Sequence, residues 1–196
     1  MTRALRRQPT QFRGAVRVDQ LLDACGEVLD ELGQDALTTR VVAARAGSSI
    51  GSFYQFFGDK SQLLRAFGER NLERYLDGVN RRLEADPPET WTGLLDVVFD
   101  EYVTRRRTIP GFGVVDFALA GDADPSQRLA DQLAETVTRL FRRPATVDVQ
   151  RALRVAVETA DALVRLAFRD DARGDPVLLH EARTVVRGYL ATYLDE

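Results

Sequence analysis

Between residues 49 and 60 the chain sets two serines, a tyrosine, a glutamine and a lysine (Ser49, Ser52, Tyr54, Gln55, Lys60) among Ile50, Gly51, Phe53, Phe56 and Phe57. Hydroxyl, amide and ammonium groups hydrogen-bond to phosphate oxygens and to base edges, and they do so without moving a proton in the process. The stretch holds one acid, Asp59, and neither histidine nor cysteine, so general acid–base or metal chemistry has little to work with. The chemistry on offer is recognition of a polar, anionic surface.

Presenting those groups requires a short helix with a buried underside. Phe53 and Phe57, four residues apart, point to the same side and anchor it inward, leaving Ile50, Gly51, Ser52, Tyr54 and Gln55 outside. Ser49 is placed to cap a helix over 50–57. Upstream, Thr38 or Thr39 can cap another short helix whose inward positions are Val42, Ala43 and Ala46, small enough for the next helix to cross closely. Gly47 ends it, because glycine takes a left-handed conformation without steric cost. Two short helices joined at a glycine form a helix-turn-helix, and an outer face of this kind suits a major groove. Asp59 and Gln62 have the spacing of a capping box, which starts a third, longer helix with Lys60 in its first turn, where free amides favour phosphate.

Together with the preceding helix, VDQLLDACGEVLDELG, this segment resembles the DNA-binding domain of the TetR family of transcriptional regulators. The resemblance rests on Gly33, Leu37-Thr38-Thr39, Ala46-Gly47, Tyr54 and Phe57-Gly58-Asp59-Lys60-Ser61-Gln62-Leu63-Leu64, in that order, and spans about a quarter of the chain. It implies that Thr39, Tyr54 and Lys60 contact phosphates, and that Arg40, Ile50, Gly51, Ser52 and Gln55 face base edges or the groove floor, with Ser49 at the start of the reading helix. Two positions depart from the family. Ser48 stands where an apolar residue usually packs on the first inward residue of the reading helix, so that staple is missing and a looser helix start is expected. Phe56 stands where a histidine is common and cannot donate a hydrogen bond to phosphate. The bland alternative is a well-packed three-helix unit with no DNA role.

The formal charge of −3 looks wrong for a DNA binder until its distribution is read. Residues 1–17 carry Arg3, Arg6, Arg7, Arg13 and Arg17 and no acid, and residues 1–60 are net +1 while 61–196 are net −4. The basic end coincides with the helix-turn-helix. The arm over 1–15 either reaches a minor groove or tracks phosphates, or else is a solubilising tail. No apolar run approaches the ~20 residues that span a bilayer, and no signal peptide is evident, so a cytoplasmic protein without a membrane partner is expected. A single cysteine, Cys25, excludes an internal disulfide; it sits on the inward stripe Val18, Leu21, Leu22, Cys25, Val28, Leu29 and Leu32.

The expected architecture is all-α: a DNA-binding domain over 16–60 joined by a linker helix to a larger helical effector-binding and dimerisation domain over 61–196. Helices are expected over 59–84, 89–107, 113–120, from Asp124-Pro125 to Arg143, over 146–170 and over 176–194, with breaks at Asp86-Pro87-Pro88 and Thr108-Ile109-Pro110-Gly111. The last two carry more apolar surface than one contact needs (Val149, Leu153, Ala156, Ala160, Leu163, Ala167; Val177, Val185, Val186, Leu190, Tyr193, Leu194). The resemblance implies that they meet a second copy in a four-helix interface. It also implies a small-molecule pocket, for which Trp91, Phe99, Tyr102, Phe112, Asp116 and Phe117 are candidates; a plain core accounts for the aromatics nearly as well. His180, alone, defines no metal site, and neither a metal nor a cofactor is expected.

These readings converge on a sequence-specific transcriptional regulator, not an enzyme: a homodimer on a near-palindromic duplex operator, a repressor released by a small effector. Should an effector bind, coupling is expected to run through the helix over 59–84. The rival in another class is a helical ligand carrier or enzyme that has kept the N-terminal unit without using it, although no Ser-His-Asp set, metal spacing or phosphate loop supports that.

Overall fold

The computed structural model describes residues 12–113 and 125–195. The elements are α1 (Phe12–Ala36), α2 (Thr39–Arg45), α3 (Ile50–Phe56), α4 (Lys60–Ala85), α5 (Trp91–Thr108), α6 (Pro125–Phe141), α7 (Val147–Ala167) and α8 (Pro176–Leu194), with no strand among the described residues. The segment before Phe12, with Arg3, Arg6 and Arg7, lies outside the described residues, as do residues 114–120 of the helix expected over 113–120, with Asp116 and Phe117, and the cap expected at Asp124. Two compact units result: one holds the described residues up to 73 with 108–113, the other 74–107 with those from 125 onward.

In the first unit the inward stripe of α1 supplies Val18, Leu21, Leu22, Cys25, Val28 and Leu29, all buried against Leu37, Val42, Phe53, Phe57, Leu63, Leu64 and Phe67. Leu32 departs from the expectation, being 53% exposed. Leu32 is the last residue before the break at Gly33, whose φ of 77° turns the chain that follows; beyond it, Leu37 is buried at 1% exposure. Gly26, on the same helix, makes a close approach to the turn after α5. A methyl on it would lie 2.6 Å from the Pro110 carbonyl oxygen, and Gly111 (φ 69°) sits against the Gly26 backbone while donating its N–H to Asp30 Oδ1 at 3.3 Å. The turn after α5 therefore rests on the backbone of α1.

The second unit is a bundle in which α7 packs against both α6 and α8. Its caps follow from sequence: Thr146 accepts the Val149 N–H to start α7, and Asp175 accepts the N–H groups of Val177 and Leu178, with Pro176 in the first turn of α8. Polar groups enter this core in pairs. Glu101 is buried and bonded to Arg105 at 2.7 Å, beside Gly78 of α4, where a methyl would overlap the carboxylate. Tyr75 donates to the Val98 carbonyl at 3.0 Å, and Tyr102 donates to Asp161 at 2.5 Å. Burial pushes both phenols well above their usual range, keeping them protonated donors.

Candidate nucleic-acid interface

The turn between α2 and α3 is assembled as glycine and serine chemistry requires. Thr38, not Thr39, caps α2, accepting the Val41 N–H at 3.2 Å. At the other end Gly47 takes φ 59°, its N–H bonds the Ala44 carbonyl at 3.1 Å, and the Ser48 N–H reaches the Ala43 carbonyl at 2.9 Å. This is the paired closure of a Schellman motif, which satisfies the last carbonyls of α2 and redirects the chain. Ser49 then caps α3 by accepting the Ser52 N–H at 3.1 Å. The Ser48 side chain faces inward and its hydroxyl is buried without a hydrogen-bond partner, the structural form of the missing staple.

The reading helix spans Ile50–Phe56, with Phe57 as its extended cap, one residue shorter than expected. Phe53 and Phe57 are fully buried and pack on each other with ring centroids 5.6 Å apart. Opposite them, Ile50 and Tyr54 are 41% and 43% exposed, Gly51 and Gln55 are exposed, and Ser52 is half-buried. Phe56 turns partly inward and packs against the core. Thr39 and Tyr54, from different helices, lie with hydroxyls 3.4 Å apart and form one polar point where α2 meets α3. Arg40 is exposed beside them on α2.

The supports beneath this surface are ionic and were not foreseen from sequence. Arg45 of α2 bonds Glu31 at 2.6 Å and Glu27 at 3.3 Å, tying α2 to α1. The guanidinium holds the Glu31 carboxyl below its usual value. Arg70 of α4 reaches back to Asp23 at 2.8 Å and Asp19 at 3.6 Å. Spacing within one helix says nothing of such partners 14 to 51 residues away, because only the crossing of the helices brings them together. Asp59 caps α4 through the Gln62 N–H at 2.8 Å, but the Gln62 side chain returns to the Gly58 N–H at 2.8 Å, one residue before the capping residue a reciprocal box would use. Lys60 follows, with its ammonium donating to the Gln34 carbonyl at 2.7 Å.

Of the effector candidates, Trp91, Phe99, Tyr102 and Phe112 lie among the described residues. Trp91 lines an apolar cavity of about 30 Å³ with Leu94, Val98, Leu133, Val137 and Leu190, room for little more than one water molecule. Its indole N–H bonds Asp195 at 2.8 Å. Phe99 is buried under the Arg183 guanidinium, 4.6 Å from the ring centroid, and Tyr102 is committed to Asp161. Phe112 is buried within the first unit. His180 is exposed on α8, in an open groove with Arg183, Thr184 and Arg187. No group of three or more metal-ligating side chains occurs among the described residues.

Comparison with known proteins bears on both parts of the chain. The profile of the bacterial regulatory proteins, tetR family, matches residues 21–67, and that of the tetracyclin repressor-like C-terminal domain matches 89–194. A TetR-family transcriptional regulator from Streptomyces coelicolor shares the fold with a TM-score of 0.81 and 46% identity over 91% of this chain and 99% of that one. The HTH-type transcriptional regulator BetI of Stenotrophomonas maltophilia is 35% identical over 187 residues, covering 89% of this chain and 91% of the relative. The match to the uncharacterized HTH-type regulator YvdT of Bacillus subtilis, 34% identical, spans half of each chain. With a reading helix seated on two buried phenylalanines and family matches along both parts of the sequence, the chain belongs to the TetR family of DNA-binding transcriptional regulators.

Proposed function

We propose that this chain is a repressor that reads a near-palindromic operator as a homodimer and leaves it when a small molecule binds the second unit. The observation that carries the reading is α3 itself. Two fully buried phenylalanines fix its underside, while Ile50, Gly51, Tyr54 and Gln55 stand exposed with no catalytic partner among them. In this reading Thr39 and Tyr54 hold backbone phosphates, Arg40, Ile50, Gly51, Ser52 and Gln55 face the bases, and Ser49 fixes the start of the helix.

One seven-residue helix touches few base pairs, so useful specificity calls for two half-sites and a two-fold dimer. The surface of the last two helices supports this. Val155, Thr159, Ala162 and Leu166 recur along one side of α7 at the spacing of a helical stripe, Val155 and Leu166 being 42% and 36% exposed; α8 adds Val177 at 66% and Val185 at 48%. An apolar effector suits the cavity below Trp91 better than a charged one, since its lining is leucine and valine, and entry requires the cavity to widen. Release then needs only that the ligand favour a state in which the two reading helices no longer match the groove spacing, passed on through α4. A chain reading chromosomal DNA works in the cytoplasm, and no described helix is long and apolar enough to cross a membrane.

Selection of duplex DNA from a random library by the purified protein, repeated at two salt concentrations, tests the proposal. The expected result is an enriched palindrome whose binding weakens steeply with salt. Absence of enrichment at low salt would overturn it.

A further inference from the structure

The chain has one lysine among its 27 lysine and arginine residues, and the resemblance to its family assigns that lysine, Lys60, to a DNA phosphate. The geometry points to a further duty in the free protein: we infer that Lys60 is a positioning residue that ties the start of α4 to the end of α1 and so holds in place the segment that launches α2. The inference concerns the interface proposed above, but its primary readout needs no DNA.

Three observations carry it. The Lys60 ammonium donates to the Gln34 carbonyl at 2.7 Å, across 26 residues of sequence. That carbonyl lies just past the break at Gly33, where the helix end exposes acceptors and concentrates negative potential, and its backbone partner, the Leu37 N–H, stands at 3.3 Å. Lys60 is also the first residue of α4, where a cation is set against the positive end of its own helix dipole. A site between one helix's carboxyl end and another's amino end resolves this conflict, because the acceptor at α1 offsets the repulsion at α4.

What the tie holds follows from the chain. Residues 34–39 run from the tethered carbonyl through Leu37, buried to 1% exposure, to Thr38, the cap of α2, and Thr39, whose hydroxyl meets Tyr54. Loosening Gln34 frees the segment that sets where α2, with Thr39 and Arg40, begins. Lysine suits the place because its ammonium is a compact donor on an unbranched stem, whereas the planar guanidinium of arginine spreads its donors over a fork.

The test uses Lys60→Met, which keeps the stem and removes the charge, and Lys60→Arg, which keeps a cation. Amide exchange of the free protein is followed residue by residue, and operator affinity is followed against salt. The expected result for Lys60→Met is faster exchange confined to residues 34–39, by roughly three- to tenfold, as loss of one such bond allows, with protection restored at least in part by Lys60→Arg. Affinity should fall for every duplex. Unchanged exchange over 34–39 in Lys60→Met would overturn the inference, whether or not the salt slope falls by about one, the mark of a lost phosphate contact. Exchange raised evenly across the whole first unit would overturn it too, as the mark of general destabilisation. Because exchange is measured without DNA, failure of the operator reading leaves this result standing.

Discussion

Ser48 shows how one side chain tunes the reading helix. It occupies the position before the cap of α3, from which an apolar residue would pack on Phe53, yet its hydroxyl is buried with no partner. An unsatisfied buried hydroxyl costs about 1–3 kcal/mol, so Ser48→Val should stabilise the protein by about 1 kcal/mol and raise Tm by roughly 2–4 °C, checked by calorimetry. On the outer face, Tyr54→Phe should weaken binding to all duplexes alike, whereas Arg40→Ala should also relax base preference; unchanged affinity in both would contradict the docking scheme. Beneath, Cys25 is fully buried and desolvation pushes its thiol from 9.0 up to about 12. Folding thus favours the neutral thiol, and its contribution to stability, present below pH 9, falls as pH rises from there toward the folded value. Disulfide reagents at pH 8 should accordingly label Cys25 no faster than the unit opens.

Among the elements, α1 is the platform on which the others are set. Arg45 and Arg70 clamp α2 and α4 to its acidic side, and the 109–111 turn rests on its Gly26 backbone. Gly26→Ala would drive a methyl against the Pro110 carbonyl, and a shift of that turn should cost about 1–3 kcal/mol, measured by denaturant unfolding. The Arg45–Glu31 pair adds a pH signature. Because the folded carboxyl sits below its ordinary value, the pair's contribution is present at neutral pH and disappears as pH falls through that lowered value. Most of this element layer was legible beforehand: the helix ends at Gly47, the caps at Ser49 and Asp59 and the inward turn of Phe53 and Phe57 follow from local rules that act within one or two turns. Leu32 was not: its periodicity reads as buried, but it stands at the last position before the break at Gly33 and is exposed, since periodicity names a face without saying whether a neighbouring element covers it.

At the scale of the molecule, the second unit leaves apolar side chains of α7 and α8 in water. If they meet a second copy, Val185→Glu, which introduces a charge on a 48% exposed valine, should convert the dimer to monomer in sedimentation at micromolar concentration. The folded protomer should survive, and operator affinity should fall by more than about tenfold, because the two half-sites would no longer be bound together. A dimer unaffected by this substitution would place the interface elsewhere.

The sequence by itself determined the family, the helical class and the identity of the reading helix, because caps, glycine turns and four-residue spacing act locally and leave their marks in residue order. The tertiary structure alone decided which groups meet across distance. It brings Lys60 to the Gln34 carbonyl, Thr39 to Tyr54, Arg45 to Glu31 and Gly26 to the Pro110 turn, and it commits Phe99 and Tyr102 to Arg183 and Asp161 rather than to an open pocket. The physical reason is that these contacts depend on how helices cross. Crossing is set by the summed packing of whole faces, which no single spacing encodes.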